Sequence, residues 1–115
     1  MTMKLRTAIA FASLSLLASV AGAQQQGISK DEILIGTIQD LSGPLAGYGK
    51  QARAGMQMAI EEINELGGIH GRKIKLLVED SGYDPKKAIL AAQKLVNQEK
   101  IFMMVGHIGT AQNEA

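Results

Sequence analysis

Three short apolar runs alternate with two helix-like segments along this chain, and this order limits its fold more than any other feature of the sequence. The runs cover residues 33–38, 74–79 and 101–105 and are rich in aliphatic side chains. Runs of this length and composition are typical of strands buried on both faces of a sheet. An alternating strand–helix order predicts parallel strands, right-handed crossovers and helices on both faces. The sequence therefore predicts an α/β fold built on a three-layer parallel sheet of order βαβαβ.

Both predicted helices carry their own start or stop signals. The first has apolar side chains at the helical spacing i, i+3, i+4 and i+7, namely Met56, Ala59, Ile60 and Ile63. Gly67-Gly68 ends it, because glycine accepts the left-handed conformation that follows a helix. The second begins at Asp84-Pro85, where Asp84 caps free amides and Pro85 lacks the N–H that would be unsatisfied there. Its apolar face consists of Ala88, Ala91, Ala92, Leu95 and Val96.

The predicted order also sorts the loops by function. Ligands of open parallel sheets bind beyond the carboxyl ends of the strands. Residues 39–47, 80–84 and 106–110 follow strands and therefore lie on the binding side. Residues 67–73 and 97–100 follow helices and lie on the far side.

Composition removes several classes of function. The chain of 115 residues has no cysteine, which excludes a disulfide scaffold, a thiolate zinc site and a cysteine nucleophile. Aromatic residues make up 3% of the chain and the formal net charge is +1, so neither a stacking platform nor a basic surface for nucleic acid is expected. The hydrophobic content of 46% is sufficient for a folded core.

The first 23 residues have the three zones of a secretory signal peptide. Lys4 and Arg6 form a basic start, residues 7–20 are uncharged and mostly apolar, and Ala21-Gly22-Ala23 places small residues at a cleavage site. No cysteine follows for lipid attachment, so we expect an exported, periplasmic protein that is not a lipoprotein. Residues 24–115 carry ten basic and eleven acidic side chains, so the basic excess belongs to the leader.

A glycine motif at residues 47–52 matches the dinucleotide-binding fingerprint G-x-G-x-x-G/A. In that motif the first glycine ends a strand, so that amides at the helix start meet the pyrophosphate. Here Gly47 follows Ile38 by nine residues, and Glu79, the acid at the end of the next strand, comes 27 residues after Ala52. The motif places that acid about 20 residues on. We interpret the match as chance and expect no cofactor.

Neither histidine indicates a metal site. His70 lies on the far side, and His107 lies on the binding side without a second ligand. No arrangement of side chains indicates catalysis, so a non-enzymatic protein is expected.

Hydroxyl groups and glycines remain at two of the strand ends. Ser42, Tyr48 and Thr110 offer hydroxyls, and a helix starting near Thr110 would direct its first amides at the cleft. This arrangement suits a small anionic or zwitterionic ligand. Ordinary turn chemistry explains the neighbouring glycines equally well.

Taken in order, the motifs of this chain resemble the amino-terminal part of the leucine/isoleucine/valine-binding protein family, the periplasmic substrate-binding components of branched-chain amino-acid ABC transporters. The resemblance covers nearly all of residues 24–115. The motifs are Ile33-Leu34-Ile35-Gly36, Leu41-Ser42-Gly43-Pro44, Tyr48-Gly49, Gly55, Glu61-Glu62-Ile63-Asn64, Gly67-Gly68-Ile69, Gly71-Arg72-Lys73, Glu79-Asp80, Asp84-Pro85, Ala88, Leu95-Val96 and Val105-Gly106.

The resemblance implies a function and an architecture. Family members have two Rossmann-like lobes that close on a ligand, so residues 24–115 are expected to form an incomplete first lobe. The implied partners are a small amino acid, or a related carboxylate or amide, and an inner-membrane ABC permease, with the protein itself a monomer. An incomplete lobe would bind amino acids very weakly.

The resemblance also implies site residues. Tyr48 matches an aromatic residue that covers the ligand, and Thr110 matches a hydroxyl residue that contacts its carboxylate. Ile108 and Gly109 flank Thr110, while Ser42 and His107 are further candidates. Some members join the loops near Tyr83 and Gly109 by a disulfide, which this cysteine-free chain lacks.

Two alternatives stay open at this point. The same fold serves as the ligand-sensing domain of receptors and regulators, which a downstream signalling domain would indicate. A nucleotide-dependent α/β enzyme is the other alternative, and it rests on the glycine motif at residues 47–52.

Overall fold

The computed structural model describes residues 25–115, and the predicted signal peptide, residues 1–23, lies outside the described residues. Strands and helices alternate along this range as expected. The elements are β1 (Glu32–Gln39), α1 (Ala46–Glu65), β2 (Lys73–Asp80), α2 (Pro85–Gln93), a π-helical turn (Lys94–Gln98), β3 (Met103–Met104) and α3 (Thr110–Asn113). None of the helices in residues 25–115 has the length and apolar character needed to cross a membrane.

The three strands form one parallel sheet of order β2-β1-β3, which confirms the predicted α/β class. The central strand β1 bonds to its two neighbours through alternate residues. The backbone N–H and C=O groups of odd-numbered residues point toward β2, as the hydrogen bond from the Ser81 amide to the Gln39 carbonyl shows. Even-numbered residues face β3, as the bond from the Phe102 amide to the Leu34 carbonyl shows.

This strand order creates a reversal beside β1. The chain steps from β1 to β2 in one direction and then returns past β1 to β3. Right-handed crossovers with this reversal place α1 and α2 on opposite faces of the sheet. The connections therefore diverge between the carboxyl ends of β1 and β3, which is where open α/β sheets form a ligand crevice.

The buried core lies between the sheet and α2. It consists of Ile38, Ala88, Ala91, Leu95 and Ile101, with Leu34, Leu77, Ala92 and Met104 packed against it. Gly36 on β1 makes room for residues that follow α2, since a Cβ atom there would lie 2.8 Å from the Ile101 side chain and 3.1 Å from that of Leu95 in the π-helical turn. A glycine at this position thus lets the π-helical turn and the segment before β3 pack directly on the sheet.

The predicted start and stop signals of the helices are confirmed, whereas the predicted apolar stripe of α1 is only half covered, since Ala59 and Ile63 are exposed. The Asp84 carboxylate accepts hydrogen bonds from the amides of Lys86 (2.7 Å) and Lys87 (3.1 Å), and Pro85 opens α2. Gly67 and Gly68 both have positive φ, and the Gly68 amide donates to the Ile63 carbonyl at 2.9 Å.

Two details differ from the sequence-based expectation. Strand β3 covers only Met103–Met104 rather than residues 101–105, because among the described strands it pairs with β1 alone. The second helix ends in a π-helical turn, in which the Glu99 amide donates to the Lys94 carbonyl. The wider turn shifts the helical phase, so Val96 is 40% exposed although its spacing predicts a buried position.

Candidate functional site

The candidate site lies at the carboxyl ends of β1 and β3. The loop after β1, residues 40–45, runs into α1, and the loop after β3, residues 105–109, runs into α3. Two side chains hold each loop in place through hydrogen bonds, namely Asp40 and Asp80 for the first loop and His107 and Gln39 for the second. These contacts determine which atoms remain available to a ligand.

Asp40 organises the loop after β1 from inside. Its side chain is 1% exposed, and its carboxylate accepts hydrogen bonds from the amides of Ser42 (3.2 Å), Gly43 (2.5 Å) and Leu45 (2.7 Å). Gly49, in the first turns of α1, packs on the same residue, since a Cβ atom there would overlap the Asp40 carbonyl oxygen. The helix start and the loop are therefore one packed unit.

Asp80 ties this loop to the end of β2. Its carboxylate accepts from the Leu41 amide (2.8 Å), the Ser42 hydroxyl (2.6 Å) and the Gly82 amide (2.9 Å). Desolvation acts to raise the pKa of Asp80, but the three donors and the positive charge of Lys87 outweigh it and lower that pKa below its ordinary value. Asp80 is consequently ionised at neutral pH.

His107 holds the loop after β3 against β1. The Ile38 amide points toward β3 but lies beyond the last residue of that short strand, and it donates to His107 Nδ1 at 3.1 Å. The imidazole thus replaces a strand carbonyl, which requires Nδ1 without a proton. Partial burial lowers the pKa of His107, so the neutral ring is the form that the fold supports.

Buried amide side chains connect the three strand ends. Gln39 Nε2 donates to Thr37 Oγ1 (2.8 Å) and to the Gly106 carbonyl (2.5 Å). Gln112 Nε2 donates to Ser81 Oγ (2.8 Å), and that hydroxyl donates to the Gln39 carbonyl (3.3 Å). The Oε1 atoms of both glutamines are buried without a hydrogen-bond partner in the described chain.

Gly109 shapes the entry to α3. Its φ is 117°, and a Cβ atom would lie 2.7 Å from both the Tyr83 ring and Gln112 Oε1. Thr110 then begins a helix of four residues, Thr110–Asn113. The amides of Thr110 and Ala111 donate no hydrogen bond to any described residue.

The six predicted site residues all lie on this edge, in two groups. The first contains Ser42 and Tyr48, on the loop after β1 and the start of α1; the second is the run 107–110. Tyr48 is 66% exposed and Ile108 is 41% exposed. No hydrogen bond in the described chain joins one group to the other. Ser42 has committed its hydroxyl proton to Asp80, which leaves its oxygen as an acceptor.

The structure explains the glycine motif without a nucleotide. Residues 47–52 lie inside α1 rather than at a strand end, so the geometry of the dinucleotide fingerprint is absent. Gly49 is needed for packing against Asp40, whereas Gly47 has open space around it. Residues 25–115 also contain no cluster of three metal-ligating side chains.

The residues that build the site, Asp40, Gln39, Ser81 and Gln112, are not among those predicted from sequence. A signal is present for Asp40, because an aspartate two positions before Ser-Gly-Pro is typical of a turn capped by its own side chain. The glutamine contacts depend on tertiary neighbours and have no local signal.

Comparison with known proteins identifies relatives of this chain. A sequence profile of the family described as periplasmic binding protein matches residues 32–115. The chain is 35% identical over 96 residues to the leucine-, isoleucine-, valine-, threonine- and alanine-binding protein of Pseudomonas aeruginosa, an alignment that covers 84% of this chain and 26% of that protein.

Solved structures show the same fold. One is the branched-chain amino acid transporter substrate-binding protein LivJ from Streptococcus pneumoniae in complex with isoleucine, with a TM-score of 0.69, 34% identity, and coverage of 72% of this chain and 24% of that one. Another is the fatty acid ABC transporter substrate-binding protein from Thermomonospora curvata, with a TM-score of 0.70, 31% identity, and coverage of 77% and 22%. The chain spans about a quarter of the length of these relatives.

Proposed function

The chain belongs to the periplasmic binding protein family, and from that premise we propose that it forms one wall of a ligand cleft in the substrate-binding protein of an ABC transporter. The ligand is a branched-chain or similar small amino acid, and it is bound without being chemically changed. The protein acts in the periplasm after export by the leader at residues 1–23, and it delivers its ligand to an inner-membrane permease.

The observation that carries this proposal is the convergence of two anchored loops at the switch in strand order. The crevice beyond β1 and β3 is the position at which open α/β sheets bind ligands. Asp40 and Asp80 anchor the first loop, and His107 and Gln39 anchor the second. Anchoring loops in advance reduces the ordering cost that a ligand would otherwise have to offset.

The free donors at this edge suit a carboxylate. The Thr110 hydroxyl and the amides of Thr110 and Ala111 have no hydrogen-bond acceptor among the described residues. Their direction at the start of a helical turn favours an anion. Thr110 therefore binds the ligand carboxylate, with Gly109 keeping the approach open and Ile108 contacting the apolar part.

Tyr48 supplies the opposite side of the cleft. Its ring is 66% exposed at the start of α1, where it is free to cover a bound side chain. The Ser42 oxygen accepts a hydrogen bond from the ligand ammonium, since its proton already goes to Asp80. His107 contributes by holding the loop, because its Nδ1 is occupied by the Ile38 amide.

The ligand class follows from what the relatives share. Two relatives are named for binding or transporting branched-chain amino acids, and a third is named for transporting a fatty acid. A carboxylate with an aliphatic chain is common to these ligands. The hydroxyl and amide donors at Thr110 match the carboxylate, and Ile108 matches the aliphatic chain.

A nuclear magnetic resonance titration tests the proposal. We expect L-leucine to shift the amide signals of Tyr48, Gly109 and Thr110 with an affinity in the millimolar range, because a single wall supplies few contacts. Isoamylamine, which lacks the carboxylate, should leave Thr110 unaffected.

Variants complete the test. Thr110→Val should abolish the shifts, whereas His70→Asn on the far-side turn should preserve them. Shifts confined to the far-side loops, or an equal response to isoamylamine, would contradict the proposed site.

A further inference from the structure

The outer edge of β2 carries an open row of backbone groups. The backbone groups of odd-numbered residues in β2 form hydrogen bonds with β1. The Lys73 amide donates to the Asp31 carbonyl, and the Ser81 amide just after the strand donates to the Gln39 carbonyl. Even-numbered residues therefore direct their N–H and C=O groups away from the sheet. Such an edge can pair with another strand.

A side chain closes one end of this edge. The carboxamide of Asn64 accepts from the Ile74 amide at 2.7 Å and donates to the Ile74 carbonyl at 2.9 Å. This pair of hydrogen bonds imitates the contact that a neighbouring strand would make. Leu76 and Val78 have no such cover among the described residues, so their four outward groups form the open part of the edge.

The open part lies at the base of a groove of about 410 Å³. Arg53 and Gln57 of α1 line one side of it, and Lys94 of the π-helical turn and Glu99, which follows that turn, line the other. These are long side chains that can move aside without disturbing the core. The groove therefore leaves the backbone of β2 accessible.

The charges of β2 are arranged to match a second copy of the same strand. Lys73 and Lys75 occupy its first half, and Glu79 and Asp80 occupy its end. An antiparallel copy places the basic half of each strand beside the acidic half of the other. A parallel copy would place like charges together, which is unfavourable.

We propose that two copies of this chain associate through the outer edges of β2, as antiparallel strands. In the register that places Leu76 opposite Val78 of the other copy, all four open groups of each chain are paired, and the pairing stops short of Ile74, where the Asn64 carboxamide already occupies the place of Asp80 from the other copy. Both copies then contribute to four hydrogen bonds across the two-fold axis.

The same register places Lys75 opposite Glu79 of the other copy. Both residues lie on the α2 face, because they are paired with Leu34 and Ile38 of β1. Lys75 makes no ion pair in the described chain, while Glu79 contacts Lys94 at 2.6 Å. The cross-strand pair therefore extends an existing ion pair into a network that forms twice.

This association departs from the monomer that the sequence resemblance implies. Its contact area is limited to one strand edge and the side chains beside it, so it is a weak and reversible interaction of the transient kind. Its salt dependence should be marked, since exposed charges supply the orientation.

Sedimentation equilibrium of the 115-residue chain tests the proposal. We expect the weight-average mass to rise with concentration toward that of a dimer. Val78→Pro removes an outward donor that makes no hydrogen bond among the described residues, so it should keep the fold and weaken association about tenfold or more. Met103→Lys, on the edge of β3, is the matched control and should leave the dimer intact.

Charge variants supply a second test that does not depend on proline. Lys75→Glu and Glu79→Lys should each weaken self-association, whereas an equimolar mixture of the two should form a heterodimer. A chain that stays monomeric at every concentration would overturn the proposal. Association abolished by Met103→Lys but not by Val78→Pro, or a mixture no tighter than either variant alone, would also overturn it.

Discussion

The two loops at the candidate site serve one crevice but are held by different chemistry. The loop after β1 is held by two carboxylates, those of Asp40 and Asp80, which together accept five hydrogen bonds from residues 41–45. The loop after β3 is held by neutral groups, the His107 imidazole and the Gln39 carboxamide. It also contains two glycines with positive φ, Gly106 and Gly109.

The difference indicates a division of roles. Hydrogen bonds to a carboxylate are roughly twice as strong as those between neutral groups, so the first loop is the more rigid of the two. A glycine-containing loop on neutral anchors can adjust to a ligand at lower cost. We therefore expect the first loop to determine where a ligand sits and the second to determine how closely it is contacted.

The largest expected effect on stability comes from disrupting the packing of Gly49 in α1 against Asp40 in the first loop. Gly49→Ala introduces a Cβ atom that overlaps the Asp40 carbonyl oxygen, a backbone atom that cannot move alone. We expect the free energy of unfolding in urea to fall by about 3–5 kcal/mol.

Gly55→Ala is the matched control in the same helix. Nothing lies within 4 Å of a Cβ atom at Gly55. Alanine is the better helix former, so we expect this variant to gain about 0.5–1 kcal/mol. If both variants had the same stability, the packed unit of Gly49 and Asp40 would not exist in solution.

A smaller effect should follow from removing the first loop's inner anchor. Asp40→Ala leaves the amides of Ser42, Gly43 and Leu45 without their acceptor. We expect a loss of about 2–3 kcal/mol in the free energy of unfolding, measured by urea denaturation. The free energy of unfolding of Asp40→Asn should lie between those of Asp40→Ala and the unsubstituted chain, because asparagine keeps one acceptor oxygen.

The control for this variant is Asp31→Ala. Asp31 is exposed, and its side chain makes no hydrogen bond in the described chain. Equal losses from the two alanine variants would remove the distinction between a buried anchor and a surface acid.

Much of this architecture could be predicted from local sequence signals. The strand at residues 33–38, the cap at Asp84 and the stop at Gly67-Gly68 depend on neighbours within a few positions, and the structure confirms them. Only their boundaries moved, by one or two residues at the strand and helix ends.

The anchors of the site could not be predicted in the same way. His107 and Ile38 are 69 positions apart, and Gln112 and Ser81 are 31 apart. Such pairs depend on how β3 and α3 dock, which no local pattern encodes. The hydroxyl of Ser42 makes it a site candidate from sequence, but its hydrogen bond to Asp80, 38 positions away, has no local signal.

The smallest expected effect is a difference in the pH at which the two loops lose their anchoring hydrogen bonds. Burial lowers the pKa of His107 below 6.5, so its anchoring stability is complete above pH 6.5 and declines as the pH falls through that value, where the unfolded chain takes up the proton more readily. For Asp80, hydrogen bonds outweigh desolvation and lower the pKa below 3.8, so its contribution is complete above pH 3.8 and is lost as the pH falls from there through the lowered pKa. The protection factor of the amide against hydrogen exchange should therefore fall first at Ile38, below pH 6.5, and only at lower pH at Leu41. His107→Gln keeps an acceptor but cannot titrate, and it should remove the first step only, with His70→Gln as the control for losing a surface histidine. Simultaneous loosening of Ile38 and Leu41 on acidification would show that a single anchor system holds both loops.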